Sequence, residues 1–68
     1  PGYEEAENLF PARITSVEPM APFVNVSVDC GCELVALVTA RRAEALGLRA
    51  GMEIWVSLPA RVVHLVPR

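Results

Sequence analysis

Two stretches of this 68-residue chain carry side chains whose types and spacing could do chemistry. The first is "TARRAEALGL", Thr39 to Leu48. Thr39 is a good helix N-cap, and Gly47 falls where a helix end favours a left-handed residue. A helix start offers free backbone N–H groups, a capping hydroxyl and the positive end of the dipole, which together suit an anion. Thr39, Ala40, Arg41 and Arg42 supply that set. The two arginines sit where the dipole disfavours cations, at a cost of roughly a few tenths of a kcal/mol on an exposed surface. Either a negative group lies opposite them, or they point into water or pair with Glu44. The second stretch is Cys30-Gly31-Cys32. On a strand these two thiols share a face, spaced too widely for an easy disulfide unless the chain bends at Gly31. A zinc site needs about four ligands, and the one further candidate is His64. Two ordinary small thiols, buried or beside a turn, are the expected reading, and they suit a reducing cytosolic compartment.

Catalytic groupings are not evident. Ser16, Ser27 and Ser57 fall within strand patterns, and His64 has no obvious partner along the chain. His64 shares a face with Val62 and Val66, so a packed or half-buried histidine is expected. The domain by itself is read as non-catalytic.

Composition sets the frame for these residues. The chain is 53% hydrophobic with 21% charged residues, which is greasy for a domain near the lower size limit for independent stability. An apolar oligomeric or interdomain interface is therefore expected. Six basic and eight acidic residues give a net charge of −2, with no nucleic-acid or polybasic membrane signal. The apolar run Leu34 to Ala40 is far too short to span a bilayer, and no signal-peptide pattern opens the chain. The first residue is Pro rather than Met, which suggests a processed product or a piece of a longer polypeptide.

The elements that must position the candidate residues can be read from the pattern. Residues 1–7 look like an acidic linker or arm, and the domain is placed at 8–66. A first strand is predicted over Leu9–Val17, with Phe10, Ala12 and Ile14 on one face and Pro11 near its entry. Glu18–Pro22 is predicted as a loop. "FVNVSVDC" alternates cleanly: Val24, Val26, Val28 and Cys30 face one way, and Phe23, Asn25, Ser27 and Asp29 the other. After a turn at Gly31, "ELVALVT" is apolar on both faces and so is expected to be central or covered by an interface. A short helix follows at Ala40–Leu46, with a turn at Arg49–Gly51. "MEIWVSL" then alternates Met52, Ile54, Val56 and Leu58 against Glu53, Trp55 and Ser57. A last strand is placed at Arg61–Val66. Phe23 and Trp55, on the non-core faces, are read as interface aromatics. Five short strands with one helix between the third and fourth is the element order of an all-β, OB-like Greek-key barrel.

The segments "NLFPARITSVE", "FVNVSVDCG", "LVALVTARRAEALGLRAGMEIWVSL" and "ARVVHLV" together resemble the TOBE/Mop domain, also called molbindin-like or molybdenum-pterin-binding. The resemblance covers Asn8 to Val66, and "VTxxxxEALGLxxGxEIW" is its most specific part. It implies an OB-like barrel that binds molybdate or tungstate, with no covalent cofactor. It also implies self-association as a homodimer or higher oligomer, with oxyanion sites between copies. The setting it resembles most is the C-terminal domain of a molybdate/tungstate-type ABC importer ATPase. There the partners would be the ATP-binding domain of the same chain and, through transporter subunits, the cytoplasmic face of the membrane. The alternative is a structural dimerisation module that has lost the oxyanion.

Carried over by position, the family's site would comprise Asn8, Val24, Asn25, Thr39, Ala40, Arg41 and Arg42. Three departures stand out. The arm often reads Ser-Ala-Arg-Asn in the family, whereas Glu5-Ala6-Glu7-Asn8 stands here. A serine is common where this chain has Arg42. The last strand is commonly entered through Lys-Ala, and here through Pro59-Ala60, which removes an ammonium donor. Arg42 or Arg61 could restore the charge from another direction.

Overall fold

A computed structural model describes residues 9–57 and 64–68. Five strands, β1 (Leu9–Met20), β2 (Phe23–Asp29), β3 (Glu33–Thr39), β4 (Glu53–Ser57) and β5 (His64–Pro67), surround one helix, α1 (Ala40–Leu46), which lies between β3 and β4. All pairings are antiparallel, in the order β3-β2-β1-β4-β5. The expected OB-like, mostly β fold is the one observed. The arm at 1–7, Asn8, the entry pair Pro59-Ala60 and the expected start of the last strand at 61–63 lie outside the described residues.

Alternation in β2 does what the pattern requires. Val26 and Val28 are fully buried, while Val24 and Cys30 pack against the same core. Ala12, Ile14, Ala36, Ile54, Val56 and Leu65 complete a single cluster. Because that cluster takes residues from both outer strands, β3 and β5, the sheet must curl to bring its two ends together. A cavity lined by Val38 of β3 and Leu65 of β5 marks the place where they approach.

The first strand differs most from expectation. It runs on to Met20, so the expected loop shrinks to a turn at Ala21-Pro22, whose peptide bond is cis. Its two halves serve different partners: Leu9–Arg13 pair with β4, and Arg13–Met20 pair with β2. A bulge between Ile14 and Ser16 marks the change. One extra residue there resets the alternation, so the inward series continues at Val17 instead of Ser16. Thr15, in the bulge, donates its hydroxyl to the Ser27 carbonyl at 3.2 Å. The Ile14 backbone is held from the other side, its N–H donating to Met52 O at 2.9 Å and its carbonyl accepting from the Gly51 N–H at 2.7 Å. Gly51 has φ +90°, a conformation that favours glycine, and this lets the turn before β4 meet β1.

Two further expectations are corrected. β3 is not central: it stands at the end of the strand order, and Val35 and Leu37 are each 59% exposed on its outer face. Of the two alternatives for β3 the central one is excluded, which leaves a core on one side and an apolar outer face that only an interface could cover. In β5 the inward residue is Leu65, paired beside Val56, while Val66 lies opposite Trp55 and is 41% exposed. The face of β5 that carries Val66 is therefore not the core face, and the expected packing of the His64 side chain lies outside what is described. One residue of register decides this, because side chains alternate with a period of two.

Burial of this kind separates core from outer apolar positions in a testable way. Ile14→Val should lower unfolding free energy by about 1 kcal/mol. Leu37→Val should change it by less than about 0.5 kcal/mol. Urea denaturation of both variants checks this, and equal losses would contradict the assigned faces.

Candidate functional site

The helix start is built as the sequence suggested. Thr39 is the N-cap in extended conformation (φ −63°, ψ 146°), and its Oγ1 accepts from the Arg42 N–H at 3.1 Å. Gly47 closes the other end in the left-handed region at φ +67°, with its N–H turned back to Ala43 and Glu44 carbonyls. Leu48 N–H donates to Ala43 O at 3.1 Å, completing the cap. The seven-residue helix has no acidic residue in its first turn and no basic residue in its last, so its charges oppose the dipole. What holds it in place is burial of Ala43 and half-burial of Leu46 against the barrel.

Pairing then gathers the candidates. Phe23 lies opposite Thr39, and Asn25 lies opposite Leu37, so Asn25 is diagonal to the helix cap on the outer face of the β2–β3 hairpin. Its Nδ2 rests 3.1 Å from Met20 Sδ. Arg41 and Arg42 are both exposed, and among the described residues neither guanidinium is in an ion pair, with Glu44 or otherwise. Val24 points inward against the core, so its side chain is unavailable to a ligand on this face. Asn8 lies outside the described residues.

The backbone donors are partly engaged. Ala40 N–H donates to Pro22 O at 3.0 Å, which ties the helix start to the β1–β2 turn. Arg42 N–H is held by the Thr39 hydroxyl. Among the described residues no such bond is made by the Arg41 N–H.

Two hollows flank these elements. One, of about 240 Å³, lies between β3, α1 and β5, with Leu37, Val38, Leu46, Leu48 and Leu65 forming apolar walls. Thr39 and Arg42 also line it, placing a hydroxyl and a cation beside an otherwise apolar space. The other, of about 360 Å³, has Arg13, Asp29, Glu53 and Arg68 around it. Arg13 and Arg68 both reach Glu53, at 3.7 and 3.2 Å, so the positive charge there is already matched by carboxylate. Arg68 is the residue that sequence reasoning missed. Its Nε donates to Ile54 O at 3.0 Å and an Nη to Ala12 O at 3.4 Å, and its guanidinium lies 5.0 Å from the Trp55 ring centroid. These contacts bind the end of β5 across β4 to β1 and partly cover Trp55. No local spacing signals a contact between positions 12 and 68.

Comparison with known families now bears on this geometry. A family model described as the TOBE domain matches residues 4–65. The chain belongs to the TOBE domain family. This TOBE domain is 30% identical over 63 residues to the molybdate/tungstate import ATP-binding protein WtpC of Pyrococcus horikoshii. The match covers 91% of the chain and 18% of WtpC, so the chain spans under a fifth of that relative. No solved structure matches it. No helix among the described residues of this TOBE domain is long and apolar enough to cross a membrane.

The capping geometry carries its own test. Thr39→Ala should lower stability by about 1 kcal/mol, and Thr39→Ser should be close to neutral. Urea unfolding of both variants measures this; equal losses would show that the hydroxyl is not what secures the helix start.

Proposed function

We propose that this TOBE domain is an accessory oxyanion-binding regulatory module of a molybdate/tungstate ABC importer ATPase, acting through paired copies. The observation that carries the reading is the cap region: Thr39 and Arg42 stand together beside a hollow, with exposed Arg41 next to them in the chain and Asn25 diagonal across the hairpin. A tetrahedral dianion needs donors from several directions and no general acid or base, and one cap supplies only part of that set. A second copy would supply the rest. The outer face around Asn25 suits such pairing, since Met20, Phe23, Val35 and Leu37 are all exposed there. Binding that is tighter in one arrangement of the two copies would link oxyanion level to transport. The match to WtpC supports a place beside an ATP-binding domain, at the cytoplasmic side of the membrane through the transporter's other subunits.

A second reading is favoured by the engaged Ala40 and Arg42 N–H groups. In it, the domain keeps the fold as a dimerisation module without a ligand. The acidic arm and the Pro59-Ala60 entry point the same way, since both withdraw donors that the family commonly has.

Titration calorimetry of the chain with molybdate, tungstate and sulfate separates the two. Saturable binding of molybdate or tungstate, weakened about tenfold or more by Arg42→Ala, is the expected result, equivalent to roughly 1.4 kcal/mol. Silence with all three anions, alongside a stable dimer, would establish the ligand-free module instead. In that event Arg42→Ser with Pro59→Lys should create binding, if the departures from the family pattern are what removed it.

A further inference from the structure

At the other end of the β2–β3 hairpin from Thr39, the chain turns through Cys30-Gly31-Cys32. Gly31 has φ +102°, the bend that a short link between these two thiols requires. The Cys30 N–H donates to Cys32 O at 3.1 Å, and the Cys30 thiol also reaches that carbonyl, at 3.6 Å. The Gly31 N–H donates to Asp29 Oδ1 at 3.0 Å, which braces the turn from the side. Cys30 is half-buried against the core, whereas Cys32 is exposed. The Cys32 thiol titrates above its ordinary value, chiefly through its interaction with the Cys30 thiol and then through slight desolvation and the Asp29 carboxylate. The turn thus folds the two cysteines back on one another, with the Cys30 thiol against the Cys32 backbone. Among the described residues no group of three or more His, Cys, Asp or Glu side chains is arranged to hold a metal ion.

We propose that Cys30 and Cys32 form a thiol–disulfide exchange site that takes a low-molecular-weight disulfide and closes an intramolecular disulfide across the β2–β3 turn. The exposed Cys32 reacts first. Its thiolate attacks one sulfur of the small disulfide, forming a mixed disulfide and expelling a thiolate that takes up a proton. Cys30, once deprotonated, attacks the Cys32 sulfur, and the bond to the small molecule breaks. The protein loses two protons and two electrons, and the small disulfide leaves as two thiols. The hairpin register Asp29 to Glu33 already holds the cysteines together, so little chain ordering remains for the second step. Because Asp29 and the partner thiol disfavour the Cys32 thiolate, the rate should keep rising with pH beyond the usual thiol range.

The test is to equilibrate the chain with reduced and oxidised glutathione over a range of ratios, quench with acid and record intact mass. The folded protein should lose about 2 Da, the mass of two hydrogens, while Cys30→Ser and Cys32→Ser should gain only glutathione adducts. In urea the closure equilibrium should fall by about tenfold or more, because the turn no longer presents the pair. A glutathione adduct or an intermolecular dimer as the wild-type end state would overturn the proposal. So would closure that is equal in folded and unfolded chain.

Discussion

The bulge at Ile14–Ser16 is the constraint on which the rest of the molecule depends. One strand has to serve two neighbours, and a regular strand cannot do so without turning its apolar side chains to solvent. The extra residue bends β1, hands its pairing from β4 to β2, and keeps Ile14 and Val17 on the inner face. Ile14 is buried completely while its backbone is bonded to Gly51 and Met52. The turn after the helix is therefore docked on the same residue that organises the core. Losing that bond pair would detach the α1–β4 connection from β1.

The candidate site inherits its position from this arrangement. Thr39 ends β3 and caps α1, so the hairpin register that places Phe23 opposite Thr39 also places Asn25 near the cap. The first turn carries two cations against the dipole, which a free-standing seven-residue helix would not tolerate well. Burial of Ala43 and the bond from Ala40 to Pro22 offset that cost. The same bond removes one donor from any anion. Stability and ligand capacity thus draw on the same few N–H groups.

Much of the fold was legible in local patterns. Val24, Val26 and Val28 alternate without interruption, and Thr39 and Gly47 bracket a helix of the observed length. The limits of β1 were not legible, because "SVEPMAP" reads as a loop until β2 is known to lie beside it. Nor was the edge position of β3, since an apolar outer face looks the same in sequence whether a neighbour or open surface lies over it. Within the site, Thr39 and its cap were visible, whereas the capture of the Ala40 and Arg42 N–H groups was not, because those partners depend on how the helix docks.

By itself the sequence determined the element order, the core face of β2 and the two helix caps, together with the motif that carries the family resemblance. All of these rest on interactions within a few residues of one another. Tertiary structure alone decided the rest. It set the bulge that splits β1 between two partners, and the Arg68 guanidinium that joins β5 to β1. It also set the fold of Cys30 against Cys32, and the capture of the Ala40 N–H at the helix start by Pro22. Each depends on groups distant along the chain, or on a bend whose angle no residue pattern specifies. Only the curled arrangement of strands brings such groups together.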